Sequence, residues 1–464
     1  MDKLWILTEE KPKISVIEEI LKLYCRDFGD AVTFSKDKRI YPVFKDNKFQ
    51  FEYIFEGAAL TNCSKIILKT VSGTSSFFDF LVLKQENKPD GTENDNLLMA
   101  VEETKTSGDE SRNTGVYQRG SKFVFIENYY NDIKKYMLYN EELENDEDKK
   151  PAATITFGTN MFLSLGVDIL GKETDRWFSK FNSIDELINY KNAMKKPPSV
   201  NVPIEIKKYS DRIEISGRLT NPADKGNIAH DPSIGALSLI SKTLRYLGWD
   251  KDIIITKHGV TQSYINKTKG NNKFLYICKI LNLKMENIIL PDEIILPAKY
   301  WHYERNSEKI ASILLHIMAE NNGMRAIYQN HAGCERGYFI TKEGRLVALP
   351  KKDKNNINLY IPDLVLHSRK HNEILLIEGK KLSTINAGIK ELDDFDSIEN
   401  EHIRTCYSEC NIYRYLSIYG GEETDIPHKK VLFYLTESGK IYINDNAPQS
   451  IKDTDFLEII SNYK

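Results

Sequence analysis

The chain has 464 residues, 41% of them hydrophobic and 28% charged, with a formal net charge of −3. This length exceeds one ordinary core and predicts two or three domains of roughly 100–200 residues, in a globular chain and not a disordered one. Its longest apolar runs, such as "IASILLHIMA", fall far short of the roughly 18 residues that span a bilayer, and its near-neutral charge neither announces nor excludes a nucleic-acid partner.

The first residues, "MDKLWILTEEKPK", lack a signal peptide's basic start, long apolar run and small-residue cleavage site, so a cytoplasmic location with no membrane partner is expected. "ISVIEEILKLYCRDF" has helical periodicity. Strands are expected in "KIILKTV", "SFFDFLVLK" and "NLLMAVEETK", with the turn-rich "QENKPDGTENDN" between the last two. A helix is expected in "NTGVYQRGSKFVFIENYYNDIKKYM", and "AATITFG" reads as a strand. Breaks occur at 139–152, 192–203 and 289–309. "IEIKKYSDRIEISGR" reads as a hairpin, and "DPSIGALSLISKTLRYLGW" as an amphipathic helix with Pro232 in its first turn. From about 300 onward the order is a helix in "NSEKIASILLHIMAEN", short strands in "MRAIYQN", "GYFIT" and "RLVALPK", and strong strands in "NLYIPDLVLH" and "EILLIEGKK". "AGIKELDDFDSI" and "IRTCYSECNIYRYLSIYG" look helical, "KKVLFYLT" and "KIYIN" are strands, and "DTDFLEIISNYK" is a closing helix. This gives an α/β class with mixed sheets, divided as 1–165, a middle region 166–299, and 300–464.

The six cysteines, at 25, 63, 278, 334, 406 and 410, form no CxxC pair, which argues against a zinc site or disulfide framework. No GxxxxGK[ST] loop, GxSxG elbow or HExxH helix is present. What carries chemistry is a set of acids and a lysine on strands that are otherwise apolar. Side chains alternate along a strand, so Glu378 and Lys380 share one face. Asp363 lies on the preceding strand, and the fourteen residues between Asp363 and Glu378 allow a turn at "HSRKHNE" and a return alongside. Two carboxylates on adjacent strands suit Mg²⁺, which keeps several waters and takes one or two carboxylates. A lysine beside them would hold or polarise a water. The competing reading is a cross-strand surface pair, but charges in strands apolar on both faces are costly unless paired or metal-bound.

"PD" at 362–363, fourteen residues, then "EGK" at 378–380 resembles the PD-(D/E)XK nuclease superfamily, which includes many type II restriction endonucleases and Holliday-junction resolvases. The resemblance covers about 160 residues, with a helix and strand meander before the motif and helices after it. It implies a restriction-endonuclease-like core and Mg²⁺-dependent phosphodiester hydrolysis, with Asp363 and Glu378 as metal ligands and Lys380 at the water. An accessory acid from the first helix would be Glu308 or Glu320.

The N-terminal part presents a second such set: Asp79 in "SSFFDFLVLK", then Glu103 and Lys105 in "VEETK", twenty-three residues lying between Asp79 and Glu103. Glu102 is the competing acid and faces away if the strand is regular. Gln118 and Arg119 follow on a helix, Gln118 being a possible accessory residue. By the same resemblance this implies a second nuclease-like core with Asp79 and Glu103 on metal. Two different sites on one chain could cut both strands of a duplex as a monomer, whereas a single working site would need a homodimer. The middle region carries Lys257, His258, Gln262, Tyr264, Asn266, Lys267, Lys269 and Lys273 without an intervening acid, as expected of a DNA-recognition segment. The expected activity is sequence-specific cleavage of double-stranded DNA by a type II restriction enzyme, with a cognate DNA methyltransferase as system partner. The alternatives are a defence or repair nuclease acting on structured DNA or RNA, and a non-catalytic nucleic-acid-binding protein.

Overall fold

The computed structural model describes residues 2–73, 77–104, 115–139, 151–171, 174–195, 203–303, 307–331 and 338–454. In chain order it holds β1 (Lys3–Thr8), α1 (Ile14–Phe28), β2 (Val32–Lys45), β3 (Lys48–Leu60), β4 (Ile66–Gly73), β5 (Phe80–Gln85), β6 (Leu97–Thr104) and α2 (Gly115–Ile126). Next come β7 (Lys134–Tyr139), α3 (Ala153–Ser164), β8 (Asp168–Leu170), α4 (Thr174–Trp177), α5 (Ile184–Ala193), β9 (Ile206–Lys208), β10 (Arg212–Ser216) and α6 (Asp231–Tyr246). They are followed by β11 (Asp252–Thr256), α7 (Gln262–Thr268), α8 (Lys273–Leu281), β12 (Leu283–Met285), β13 (Trp301–Tyr303), α9 (Lys309–Asn321), β14 (Arg325–Gln329), β15 (Tyr338–Ile340) and β16 (Leu346–Ala348). The last are β17 (Leu364–Ser368), β18 (Glu373–Lys381), α10 (Ile385–Glu391), β19 (Asn411–Tyr419), β20 (Val431–Leu435) and β21 (Ile441–Ile443). The class is mixed α and β with several mixed sheets. Among the described residues no helix is long and apolar enough to cross a membrane.

The chain divides into two compact units, one of Met1–Ser72, Lys84–Asn87 and Tyr303–Lys464, the other of Gly73–Leu83 and Lys88–His302. The boundary at 302/303 falls inside the break at 289–309, whereas the one at 72/73 falls inside the N-terminal region that the sequence reads as one.

In the first unit α1 buries Val16, Ile17, Ile20, Leu21 and Tyr24, and Gly29 ends it in the left-handed region at φ 66°. Strands β2, β3, β4 and β1 lie in that order, and β1 is parallel to β4. A second sheet runs β14-β17-β18-β19-β20-β21. Its first three strands are antiparallel, β18, β19 and β20 are parallel, and β21 turns back on β20. Central strands covered on both faces read as unbroken apolar runs, and all of "VLFYL" in β20 is buried. Val365, Ile374 and Leu376 point into a core with Leu392, Phe395 and Ile398 from the helical turns that follow α10. Helix α9 packs on the opposite face and is buried from Lys309 to Ala319.

In the second unit β5 pairs antiparallel with β6, while β6, β7 and β8 are parallel. A small sheet runs β12-β11-β10-β9, and the β9–β10 hairpin turns at Ser210 and Asp211 as expected. Helices α2 and α6 cross at two glycines. A Cβ on Gly120 would stand 2.7 Å from the Gly235 carbonyl oxygen, and one on Gly235 would overlap the Tyr117 carbonyl.

Three segments depart from expectation. "AATITFG" belongs to α3 and is not a strand; its apolar run continues to Ser164, too long for a short strand, and is buried on most sides. "NIYRYLSIY" is strand β19 and not a helix: rich in aromatic and β-branched residues, it fills the centre of the sheet beside β18. "KKYM", the end of a stretch expected to be helical, belongs to strand β7. The expected closing helix lies almost wholly outside the described residues, after a turn at Gln449–Lys452.

The glycine crossing fixes the helix that carries Arg119 and Lys122. Gly235→Ala is expected to lower stability by about 1–3 kcal/mol, read as a lower urea midpoint. An unchanged midpoint contradicts close contact at that crossing.

Candidate functional site

The hairpin of β17 and β18 pairs Leu364 with Ile377. One step further along both strands, Asp363 stands across from Glu378. The Gly379 N–H donates to Asp363 Oδ2 at 2.9 Å, which holds the two acids face to face. Glycine keeps this approach close: a Cβ would lie 3.0 Å from that oxygen and 3.1 Å from both the Glu308 carbonyl and Ser312 Oγ of the α9 start. Lys380 Nζ donates to Glu378 Oε1 at 2.8 Å and stands 2.9 Å from Glu391 Oε2 at the end of α10. Gly388 lets α10 come down on the lysine stem, since a Cβ there would lie 2.6 Å from Lys380 Cγ. The second oxygen of Glu378, Oε2, is buried with no hydrogen-bond partner among the described residues.

Burial pushes the Asp363 carboxyl well above the carboxylate range, Glu378 adds to the rise, and the Gly379 N–H and Lys380 only partly offset it. Glu378 is raised as well, by burial first, with Lys380 opposing and Glu391 adding. Burial lowers the Lys380 ammonium, but Glu378 and Glu391 outweigh it and leave the lysine firmly protonated. Glu308 also acts on Asp363. Several carboxyls therefore face a single ammonium, and the fully ionised set carries an excess of negative charge. Two facing carboxylates, one with a vacant oxygen, fit a hard divalent cation that takes its remaining ligands from water and substrate. Among the described residues no group of three or more His, Cys, Asp or Glu side chains is placed to hold a metal ion.

Glu320 is not part of this cluster. It accepts from His316 Nε2 at 3.1 Å and pairs with Lys11. Burial pushes it up, but His316 and Lys11 prevail and hold it at about 2. What lies behind it was not legible in the sequence. His316 Nδ1 meets His331 Nε2 at 3.1 Å, and His331 Nδ1 meets Ser312 Oγ at 3.2 Å. Both rings are buried, and burial lowers both so far that they stay neutral. The chain of contacts from Lys11 to Ser312 braces α9 against Gly379.

In the second unit, β5 pairs Phe80 with Val101, so Asp79 stands across from Glu102. It is therefore Glu102, and not Glu103, that the register brings to Asp79; the Glu103 side chain takes the other face. The Glu103 N–H donates to Asp79 Oδ2 at 2.7 Å, and the Asp79 N–H donates to Glu102 Oε2 at 3.3 Å. Lys105 lies outside the described residues. The ammonium at this pair comes from α2: Lys122 Nζ donates to both Glu102 oxygens at 2.7 Å and stands 3.6 Å from Asp79 Oδ1. Arg119 Nε lies 2.9 Å from Glu102 Oε1. Burial first and Asp79 second push Glu102 up to about 7 against the pull of Lys122 and Arg119. Gln118 is exposed.

The expected recognition segment spans the turn before α7, α7 itself and the start of α8. His258 is buried, its Nε2 meeting the Glu286 carbonyl at 2.8 Å and its Nδ1 accepting the Val260 N–H at 3.0 Å. Gln262 is bound to the Ile289 backbone through both ends of its amide. The Tyr264 hydroxyl accepts from Asn272 at 3.1 Å. Those three groups serve the fold. Lys257, Asn266, Lys267 and Lys269 are exposed. Lys273 is half-buried, its ammonium lowered by burial and by Lys122, with Asp231 opposing.

No protein-family model, curated protein or solved structure matches the chain.

A carboxyl raised on folding binds more protons in the native state than in the unfolded chain, so stability falls as pH rises through the interval between the two values. For Asp363 and Glu378 that interval starts at the ordinary carboxylate value near ~4. Asp363→Asn, neutral at every pH, is expected to melt roughly 2–4 °C above the wild type at slightly alkaline pH in chelator, and the gain is expected to shrink toward acid pH. Equal melting curves in alkali contradict a strained carboxylate pair.

Proposed function

We propose that the chain is a Mg²⁺-dependent endonuclease that hydrolyses phosphodiester bonds of double-stranded DNA in the manner of a sequence-specific type II restriction enzyme. The observation that carries this reading is the buried, unpartnered Oε2 of Glu378 across from Asp363. An isolated buried carboxylate oxygen is costly, and a divalent cation is the partner this arrangement accepts. The order α9, antiparallel β14, β17 and β18, a helical segment, then β19 parallel to β18 supports the resemblance to the PD-(D/E)XK nucleases.

Asp363 and Glu378 would hold the cation, which when bound supplies a water of lowered pKa and stabilises charge on a phosphoryl oxygen. Lys380 stays protonated and donates to the water or to a phosphate oxygen. Glu391 keeps that ammonium paired when Glu378 turns to the cation. Gly379 fixes Asp363 through its N–H, and the α9 start closes the rear of the site. On the DNA side the exposed lysines 257, 267 and 269 suit phosphates. A cognate DNA methyltransferase belongs to the same reading as system partner.

With supercoiled plasmid and Mg²⁺ the wild type is expected to produce linear DNA. Asp363→Ala and Lys380→Ala are each expected to slow linearisation by at least about 10²-fold. Plasmid left intact by the wild type contradicts the nuclease reading, and linearisation by Asp363→Ala at the wild-type rate contradicts this site.

A further inference from the structure

The arrangement of Asp363 and Glu378 occurs twice in the chain. In both places an Asp precedes a strand, and a Glu stands across from it on the antiparallel partner. In both, the residue after the Glu donates its N–H to the Asp Oδ2, at 2.9 Å in one case and 2.7 Å in the other. In both, the Glu-bearing strand leads through helix to a parallel neighbour, β19 or β7. In both, an ammonium lies within 2.8 Å of the Glu, Lys380 from the strand itself and Lys122 from α2.

What differs is the charge around the pair. Lys380 has a second partner, Glu391, that is not across the hairpin from Asp363, and Glu378 keeps one oxygen vacant. A cation can enter while the lysine shifts to Glu391. Among the described residues Lys122 has no carboxylate other than Glu102 and Asp79, so it has nowhere to withdraw. Both oxygens of Glu102 are already taken, and Arg119 adds a further positive charge at 2.9 Å. A divalent cation meets two acids balanced by two close cations, against an acid excess at the other pair.

Resting on the reading of the first pair as a hydrolytic centre, we propose that Asp79, Glu102 and Lys122 form a second phosphodiester-cleaving centre that needs a higher divalent-cation concentration than the first, so that the two strands of a duplex are cut in sequence. The reaction is the same hydrolysis. The oxygen of a water bonds to phosphorus, the bond from phosphorus to one sugar oxygen breaks, and one water proton ends on the released hydroxyl. The other stays with the phosphate monoester or passes to solvent. Lys122, a protonated ammonium, donates to the water or phosphate and takes no proton.

The test is plasmid cleavage across a Mg²⁺ titration, resolving nicked from linear DNA. Wild type is expected to accumulate nicked circles at low Mg²⁺ and linear DNA at high Mg²⁺. Asp79→Asn, at a half-exposed side chain, and Lys122→Met are expected to nick at low Mg²⁺ and not to linearise; Glu103→Gln is expected to behave as wild type. Asp363→Ala is expected to nick only at Mg²⁺ at least about tenfold higher than Asp79→Asn requires. Asp79→Asn that linearises plasmid like the wild type overturns the second centre and leaves the first standing. Asp363→Ala that nicks at no Mg²⁺ concentration does the same. Nicking by Asp363→Ala at the same Mg²⁺ as by Asp79→Asn overturns the difference in cation demand. A wild type that cuts nothing overturns the first centre, and this one with it.

Discussion

Two carboxylates facing each other inside a sheet repel, and much of the first unit is arranged around holding Asp363 and Glu378 in that position. The hairpin register sets them opposite. The Gly379 N–H ties down Asp363, and the absence of a side chain at 379 lets the α9 start close the back. Lys380 and Glu391 form a movable counter-charge in front. Even the buried histidines serve this end, since His316 and His331 link the Lys11–Glu320 pair to Ser312 beside Gly379. A fold selected for stability alone has no use for a buried carboxylate oxygen without a partner.

The second unit reaches a related geometry by other means. Its acids occupy the same relative positions, but the ammonium comes from a helix that must lie close enough to reach them. That closeness depends on Gly120 and Gly235, where α2 and α6 cross with almost no room for a side chain. Backbone packing some distance from the acids thus decides which cation meets them. The two pairs illustrate how one hydrogen-bonding scheme supports different charge balances.

The first pair was legible in the sequence because everything it needs is local: two strands, a short link, and acid and lysine two residues apart. The second was half legible. Asp79 and the acidic strand stand out, but the choice between Glu102 and Glu103 depends on a register that shifts between Val82 and Leu83, and period-two reasoning cannot see a bulge in advance. Lys122 was hidden because its partner lies on another element twenty residues away. In "NIYRYLSIY" helical spacing competed with the pattern of a buried strand, and tertiary position beside β18 decided for the strand. His258 and Gln262 have the right chemistry for DNA, but each is spent on backbone groups that a sequence does not reveal.

The central claim is that Asp363 and Glu378 hold a divalent cation. The most direct test is an anomalous-diffraction map of crystals soaked in Mn²⁺. The account predicts a peak between these two carboxylates that disappears in Asp363→Asn. A soaked wild-type crystal with no peak there, and with Glu378 Oε2 instead bonded to a protein donor, would contradict it.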